Sequence, residues 1–178
     1  RLINDILSLS ELEQKKIKTK TSRESIKVEK AIKEILSMLE SQSDKKNIEL
    51  SVKVQEGLRN ITGESDKFKQ MLINLVDNAI KYTPENGKVW VEAYNMEDDA
   101  KGERVVIKVI DNGIGIPKQH ISRLFERFYR VDKARSRTVG GTGLGLAIVK
   151  HIVILFNGEI EVDSEVGKGT EFRIILPV

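Results

Sequence analysis

Gln70-Met-Leu-Ile-Asn74-Leu-Val-Asp-Asn78-Ala-Ile-Lys81-Tyr82-Thr83 is the stretch on which the reading of this chain turns. On a helix, residues three and four apart share a face, so Asn74, Asn78 and Tyr82 form one stripe with Lys81 beside it. Such a stripe is able to face a ligand. Ser65 or Glu64 is placed to start the helix, which runs to about Lys81 and stops before Pro84, because the residue preceding a proline is driven out of the helical region.

Working outward, Ile48-Glu-Leu-Ser-Val-Lys-Val54 alternates apolar and polar residues as a half-buried strand does, and Ile26 to about Lys46 has helical periodicity. Leu2, Ile3, Ile6, Leu7 and Leu9 also repeat at helical spacing, which predicts a helix ending near Gln14, and Lys15 to Lys20 reads as a linker or short edge strand. Downstream, Lys88 to Tyr94 and Arg104 to Ile110 read as strands joined by the polar connection Glu97-Asp-Asp-Ala-Lys-Gly102. A basic and aromatic stretch follows Pro117 as far as Gly140. A helix from near Gly143 to Phe156 comes next, then strands near Glu159 to Val162 and Thr170 to Leu176. Helices and strands mixed with antiparallel hairpins favour an α+β fold over a doubly wound parallel one: a two-layer α/β sandwich with one mixed, mostly antiparallel sheet and helices on one face.

The chain has 178 residues, enough for one main domain and a short appendage. Thirty basic and 27 acidic residues leave a net charge of +3, interspersed along the chain, which speaks against a nucleic-acid partner. There is no cysteine, so neither a disulfide framework nor a thiolate metal site is available, which suits a cytoplasmic setting. No apolar run reaches the roughly 18 residues of a membrane helix, and the first residues carry no signal-peptide pattern. A start at Arg1, already inside an amphipathic pattern, reads as a piece cut from a longer protein.

Two glycine-rich segments supply the chemistry that the helix alone does not. Asp111-Asn-Gly113-Ile-Gly115-Ile116-Pro117 sets a carboxylate at the end of a strand beside a turn. An ionised carboxylate only accepts hydrogen bonds. Adenine's exocyclic amine donates one, and guanine's carbonyl at that position does not. Gly141-Thr142-Gly143-Leu144-Gly145-Leu146 lies directly before a helix, where free N–H groups and the helix dipole attract anions and glycines allow a phosphate to come close. It is neither a Walker loop, lacking Lys-Ser/Thr at the needed spacing, nor the dinucleotide fingerprint, since Leu146 stands where the third glycine belongs. Asn78 offers a neutral oxygen suited to a Mg²⁺ ion that keeps waters and phosphate oxygens, and Lys81, one turn on, reaches toward phosphate. Singly, each segment has an ordinary reading as a turn, a hinge or a core amide. Together they make an adenine-nucleotide pocket.

That combination resembles the ATP-binding domain of the GHKL superfamily, whose members include gyrase, chaperone and mismatch-repair ATPases, and is most similar to the sensor histidine kinases. The N box matches Asn74 to Thr83, the G1 box Asp111 to Pro117, the F box Leu124-Phe125-Glu126-Arg127-Phe128-Tyr129-Arg130 and the G2 box Gly141 to Leu146. The resemblance covers the chain from about Ser25 and implies a Bergerat-type fold binding ATP and Mg²⁺. It implies that Asn78 is the Mg²⁺ ligand, that Asn74 lies beside it, that Lys81 contacts phosphates and that Tyr82 packs near the adenine. Asp111 would read the adenine amine, assisted by a hydroxyl at Thr170. Gly113, Gly115, Ile116, Gly141, Thr142, Gly143, Leu144 and Gly145 would line the nucleotide. Residues from about Lys118 to Gly140 would form a lid, with Phe125 and Phe128 as apolar anchors and Arg127 and Arg130 as cations meeting phosphate.

Position 74 sorts the superfamily. Its ATPases carry a glutamate there as a general base, whereas Asn74 cannot take a proton, so ATP would be held for an external nucleophile rather than hydrolysed. The alternatives are a nucleotide-binding regulatory module without catalysis, and a slow ATPase clamp that Asn74 disfavours. The acceptor histidine of the family sits in an H box, and neither His120 nor His151 has that context. The resemblance therefore divides the chain into 1–16, the end of the second helix of a dimerisation hairpin, 17–24, a linker, and 25–178, the catalytic domain. It also implies a histidine-bearing hairpin and a response regulator receiver domain as partners, and a homodimeric membrane-bound parent whose acceptor helix is absent from this fragment.

Overall fold

The computed structural model describes residues 23–131 and 142–178. The expected hairpin helix, the stretch Lys15 to Lys20, Gly141 and the middle of the expected lid lie outside the described residues. Five strands form one sheet in the order β2-β4-β5-β7-β6, where β2 is Glu49–Val54, β4 Lys88–Asp98, β5 Gly102–Asp111, β6 Glu159–Glu165 and β7 Gly169–Pro177. Only β2 and β4 run parallel, and the other pairings are antiparallel. The sheet packs against α1 (Val28–Asp44), α2 (Ser65–Tyr82) and α4 (Gly145–Leu155), while the short α3 (Lys118–Ile121) lies beside β6. The expected two-layer α/β architecture is borne out.

Period-two alternation makes the division between layers. Val105, Ile107 and Val109 of β5, Val89, Val91 and Ala93 of β4 and Phe172, Ile174 and Leu176 of β7 face the helices and are buried. On α2, Phe68, Met71, Leu72, Leu75, Val76, Ala79 and Ile80 recur at helical spacing and are buried against them. The opposite sheet face carries a lattice of charge: Lys108 pairs with Glu171, and Arg173 with both Glu171 and Glu161.

Several boundaries differ from those read in the sequence. Ile26 does not begin the first helix but ends a three-residue strand, β1 (Glu24–Ile26), which pairs antiparallel with β3 (Ile61–Gly63). Three-residue strands have no periodicity to display, so neither was legible. β4 and β5 extend toward each other, and the connection shrinks to a tight turn in which the Asp98 carboxylate accepts the N–H groups of Ala100 and Lys101 at 2.9 and 3.0 Å. The fourth helix begins at Gly145 rather than Gly143, whose φ of +72° is not helical.

Candidate functional site

Asp111 continues the inward-facing stripe of β5 beyond its apolar members, so a carboxylate takes the place of a core side chain. Its register partner on β7 is Thr170, also buried. The carboxylate accepts the Gly113 N–H at 2.8 Å and a main-chain bond from Thr170. Burial nevertheless pushes its pKa up to about 6, because desolvation outweighs those two bonds. The group is thus fixed in place and poorly solvated, ready to gain from a further donor.

The loop after Asp111 is threaded between α2 and β6. The Ile114 N–H donates to the Tyr82 carbonyl at 3.2 Å, the Gly167 N–H to the Ile114 carbonyl at 2.9 Å and the Ile116 N–H to the Ser164 hydroxyl at 2.8 Å. Gly115 has φ +68°, and a Cβ there would lie 2.0 Å from the Glu165 carbonyl oxygen, so both conformation and space demand glycine. Ser164, buried, also lies 2.9 Å from the Thr170 hydroxyl and donates to the Gly169 carbonyl.

A cavity of about 360 Å³ opens in front of this strand end. Of the residues singled out in the sequence, Asn74, Asn78, Lys81, Tyr82, Asp111, Gly115, Ile116, Arg130, Thr142, Gly143, Gly145 and Thr170 line it. Four families of local structure therefore converge: the polar row of α2, the strand end, the glycine loop and the segment after α3. Gly113 stands behind Asp111 rather than on the wall, and Leu144 is fully buried in the core, its N–H directed to the Thr142 hydroxyl. Arg127 and Phe128 do not line the cavity.

The apolar anchoring of the segment after α3 differs from the expectation. Phe128 is 60% exposed, its φ of +61° set where its N–H bonds the Gly143 carbonyl at 2.9 Å. That left-handed backbone ties Phe128 to the glycine loop while the ring stays outside. Leu124 is the buried anchor, together with Phe125, which packs on the core with the Lys150 ammonium 5.6 Å from its ring centre. Tyr129, a wall residue, is held between His120, whose Nδ1 lies 2.6 Å from its hydroxyl, and the Arg123 guanidinium over its ring.

Asp77, Ser164 and Val166 also belong to this site, beyond the residues that the sequence singles out. Asp77 is on the cavity wall and follows Asn74 by three positions, so the same stripe argument that selected Asn78 would have found it. Among the described residues no group of three His, Cys, Asp or Glu side chains is arranged to hold a metal ion. The donor set at Asn78 fits a cation that brings most of its ligands with it, as Mg²⁺ does with water and phosphate oxygens.

The family described as histidine kinase-, DNA gyrase B-, and HSP90-like ATPase matches residues 63–178, which hold the polar row, Asp111 and the glycine loop. The chain belongs to that family. Within the family it is homologous to the sensor histidine kinases. The sensor histidine kinase WalK of Bacillus subtilis (strain 168) is 39% identical over 177 residues, which are 99% of this chain and 28% of WalK. The chain thus spans under a third of that relative's length. Among solved structures, full-length ShkA in complex with AMPPNP superposes with a TM-score of 0.83 at 30% identity, covering 99% of this chain and 35% of ShkA. The nucleotide-free catalytic domain of histidine kinase ThkA superposes with a TM-score of 0.74 at 28% identity, covering 88% of this chain and 96% of that domain. No helix among the described residues is long and apolar enough to cross a membrane.

Proposed function

We propose that this domain binds ATP with Mg²⁺ in the cavity and presents the γ-phosphoryl group to a histidine on the dimerisation hairpin of its parent kinase, for onward transfer to a response regulator receiver domain. The observation that carries the reading is the buried carboxylate of Asp111 in the wall of a cavity of about 360 Å³ that Asn74, Asn78, Lys81, Gly143 and Gly145 also line. AMPPNP, the ligand in ShkA, is an adenine nucleotide analogue, in keeping with this arrangement.

In this reading Asp111 accepts the adenine amine, and the Thr170 hydroxyl, in reach of Ser164, supports the same edge. Tyr82 and Ile116 flank the base, Asn78 supplies a ligand for Mg²⁺, and Lys81, Arg130 and main-chain N–H groups of the glycine loop meet the phosphates. Bound Mg²⁺ supplies positive charge that offsets the charge building on the phosphate oxygens. The chain's own residues fix the nucleotide and leave the γ-phosphorus accessible. The bond from that phosphorus to the β–γ bridging oxygen breaks, a bond to the acceptor imidazole nitrogen forms, and ADP departs. Asn74 lies with its Oδ1 3.5 Å from the position of a Cβ on Gly145 and cannot serve as a base, so water is not activated there. The domain sits in a parent that is a homodimeric membrane sensor, with this part on the cytoplasmic side.

Calorimetric titration with ATP and with GTP in the presence of Mg²⁺ tests the reading. ATP should bind and GTP should not. Asn78→Ala should weaken Mg²⁺-ATP binding far more than Lys101→Ala, a change in the exposed β4–β5 turn. Equal affinity for the two nucleotides would overturn the assignment of Asp111, and equal effects of the two variants would overturn that of Asn78.

A further inference from the structure

The polar row of α2 is held from outside by the end of α1. Gln42, in the last turn of α1, donates its amide N–H to Asp77 Oδ1 at 2.7 Å, and Asp77 Oδ2 lies 3.8 Å from Lys81 Nζ one turn further along α2. Lys46, one helical turn after Gln42, directs its ammonium to the carbonyls of Ile80, at 2.7 Å, Lys81, at 3.1 Å, and Thr83. It thereby closes the C-terminus of α2, where unpaired carbonyls and the helix dipole favour a cation. Gln42 in the last turn of α1 and Lys46 in the turn that follows it therefore grip both a side chain and the backbone of the turn that carries Lys81.

Asp77 and Lys81 are nearly buried, with side chains 10% and 17% exposed, and both line the cavity. A lysine side chain has four flexible bonds, and ordering it on a ligand costs conformational entropy. A carboxylate fixed by a neighbouring amide lowers that cost by holding the ammonium near its working place beforehand. The geometry points to Asp77 as a positioning residue for Lys81, oriented in turn by Gln42, so that the phosphate-binding end of the cavity is set by α1. This rests on the nucleotide reading given above and adds to it residues that belong to none of the matched glycine or asparagine positions.

The experiment compares ATP and adenosine binding, since only ATP engages Lys81. In the 178-residue chain, Asp77→Asn keeps an oxygen for the Gln42 amide and removes the charge beside Lys81. ATP affinity should fall about fivefold, with adenosine affinity unchanged, and the loss should vanish in a Lys81→Ala background. Gln42→Ala, at a half-buried site, should give the same ATP-selective loss with a smaller size, and serves if Asp77→Asn does not fold. A gain in ATP affinity on Asp77→Asn would show that the carboxylate only repels phosphate. Equal losses for ATP and adenosine, or a loss that persists without Lys81, would show a merely structural role. Either result overturns the inference. If the intact chain binds neither ligand, the nucleotide reading fails and the inference with it. Normal ATP binding with unaltered variants removes the inference alone.

Discussion

Two parts of the cavity wall, one at the end of β5 around Asp111 and one at the end of α2 around Lys81, are built on different principles. At the Asp111 end the walls are main chain and short side chains: a strand end, a glycine turn, Ser164 and Thr170, joined by hydrogen bonds of 2.8–2.9 Å and packed so that no Cβ fits at Gly115. At the Lys81 end the walls are side chains on a helix, with Asp77 held by Gln42 beside Lys81 and the helix end closed by Lys46, and the facing Gly145 has room for a Cβ. The first end is held by close packing and main-chain hydrogen bonds. The second is adjustable, because its groups reach the cavity through rotatable bonds. A base is flat and demands one fixed edge, whereas a phosphate chain changes shape and charge during transfer.

The contrast is sharpest for substitutions at glycine. Gly115→Ala should cost about 3 kcal/mol, combining a left-handed backbone with overpacking against the Glu165 carbonyl. That corresponds to a thermal midpoint lower by roughly 6–12 °C for a chain of this size, measurable by scanning calorimetry. An unchanged midpoint would mean that the Asp111 end yields as easily as the other.

Asp111→Asn comes second. Loss of a hydrogen bond to a charged group is worth ~1.5–3 kcal/mol, about tenfold to a hundredfold in ATP affinity. Thermal stability without nucleotide should not fall, because a desolvated charge has been removed. A matched loss of stability and affinity would place the carboxylate in the scaffold rather than the recognition edge.

A third, smaller effect concerns pH. Asp111 titrates at about 6 in the fold, above the ordinary carboxylate value, so it is ionised at neutral pH and half protonated near pH 6. ATP affinity should decline as pH falls through that value, since protonation weakens the acceptor. The nucleotide-free fold should respond with the opposite sign. It binds more protons than the unfolded chain between the ordinary value and about 6, so the stability contributed by this group rises as pH falls and is lost as pH rises through 6. Both dependences should flatten in Asp111→Asn, as titration and thermal melts across this range will show.

Gly145→Ala should perturb the fold least. A Cβ there meets Asn74 alone, Oδ1 at 3.5 Å and Cγ at 3.8 Å, both ordinary contacts, so stability should change by less than about 0.5 kcal/mol. ATP binding should still weaken, because the added methyl occupies space at the cavity wall. A stability loss comparable to that of Gly115→Ala would erase the distinction between the two ends.

The same contrast accounts for what could be read from the sequence. Asn74, Asn78 and Lys81 share a helix face by spacing alone, and Asp111 with its glycines declares a strand end followed by a turn, so the chemistry of both ends was legible locally. Gln42 and Lys46 act on residues about 35 positions away, and Ser164 meets Ile116 across 48, so no local pattern announces them. Asp77 falls on the same helix face, three positions after Asn74, but a carboxylate between two amides carries no motif of its own. Phe128 misled because hydrophobicity suggests burial, while its positive φ and its bond to Gly143 decide its direction.

The parallel pairing of β2 with β4 bears on how the site comes into being. Parallel neighbours need a crossover, and here the connecting chain contains β3 and α2. The hairpins β4–β5 and β6–β7 close over short turns, whereas pairing of the edge strand β2 with β4 encloses the helix bearing Asn74, Asn78 and Lys81. Distant pairings of this kind are the slow part of assembly, because the loop entropy is spent before the contacts reward it. The segment that lets β2 pair with β4 is thus the same segment that carries the polar row, so the sheet edge and the site share one connection.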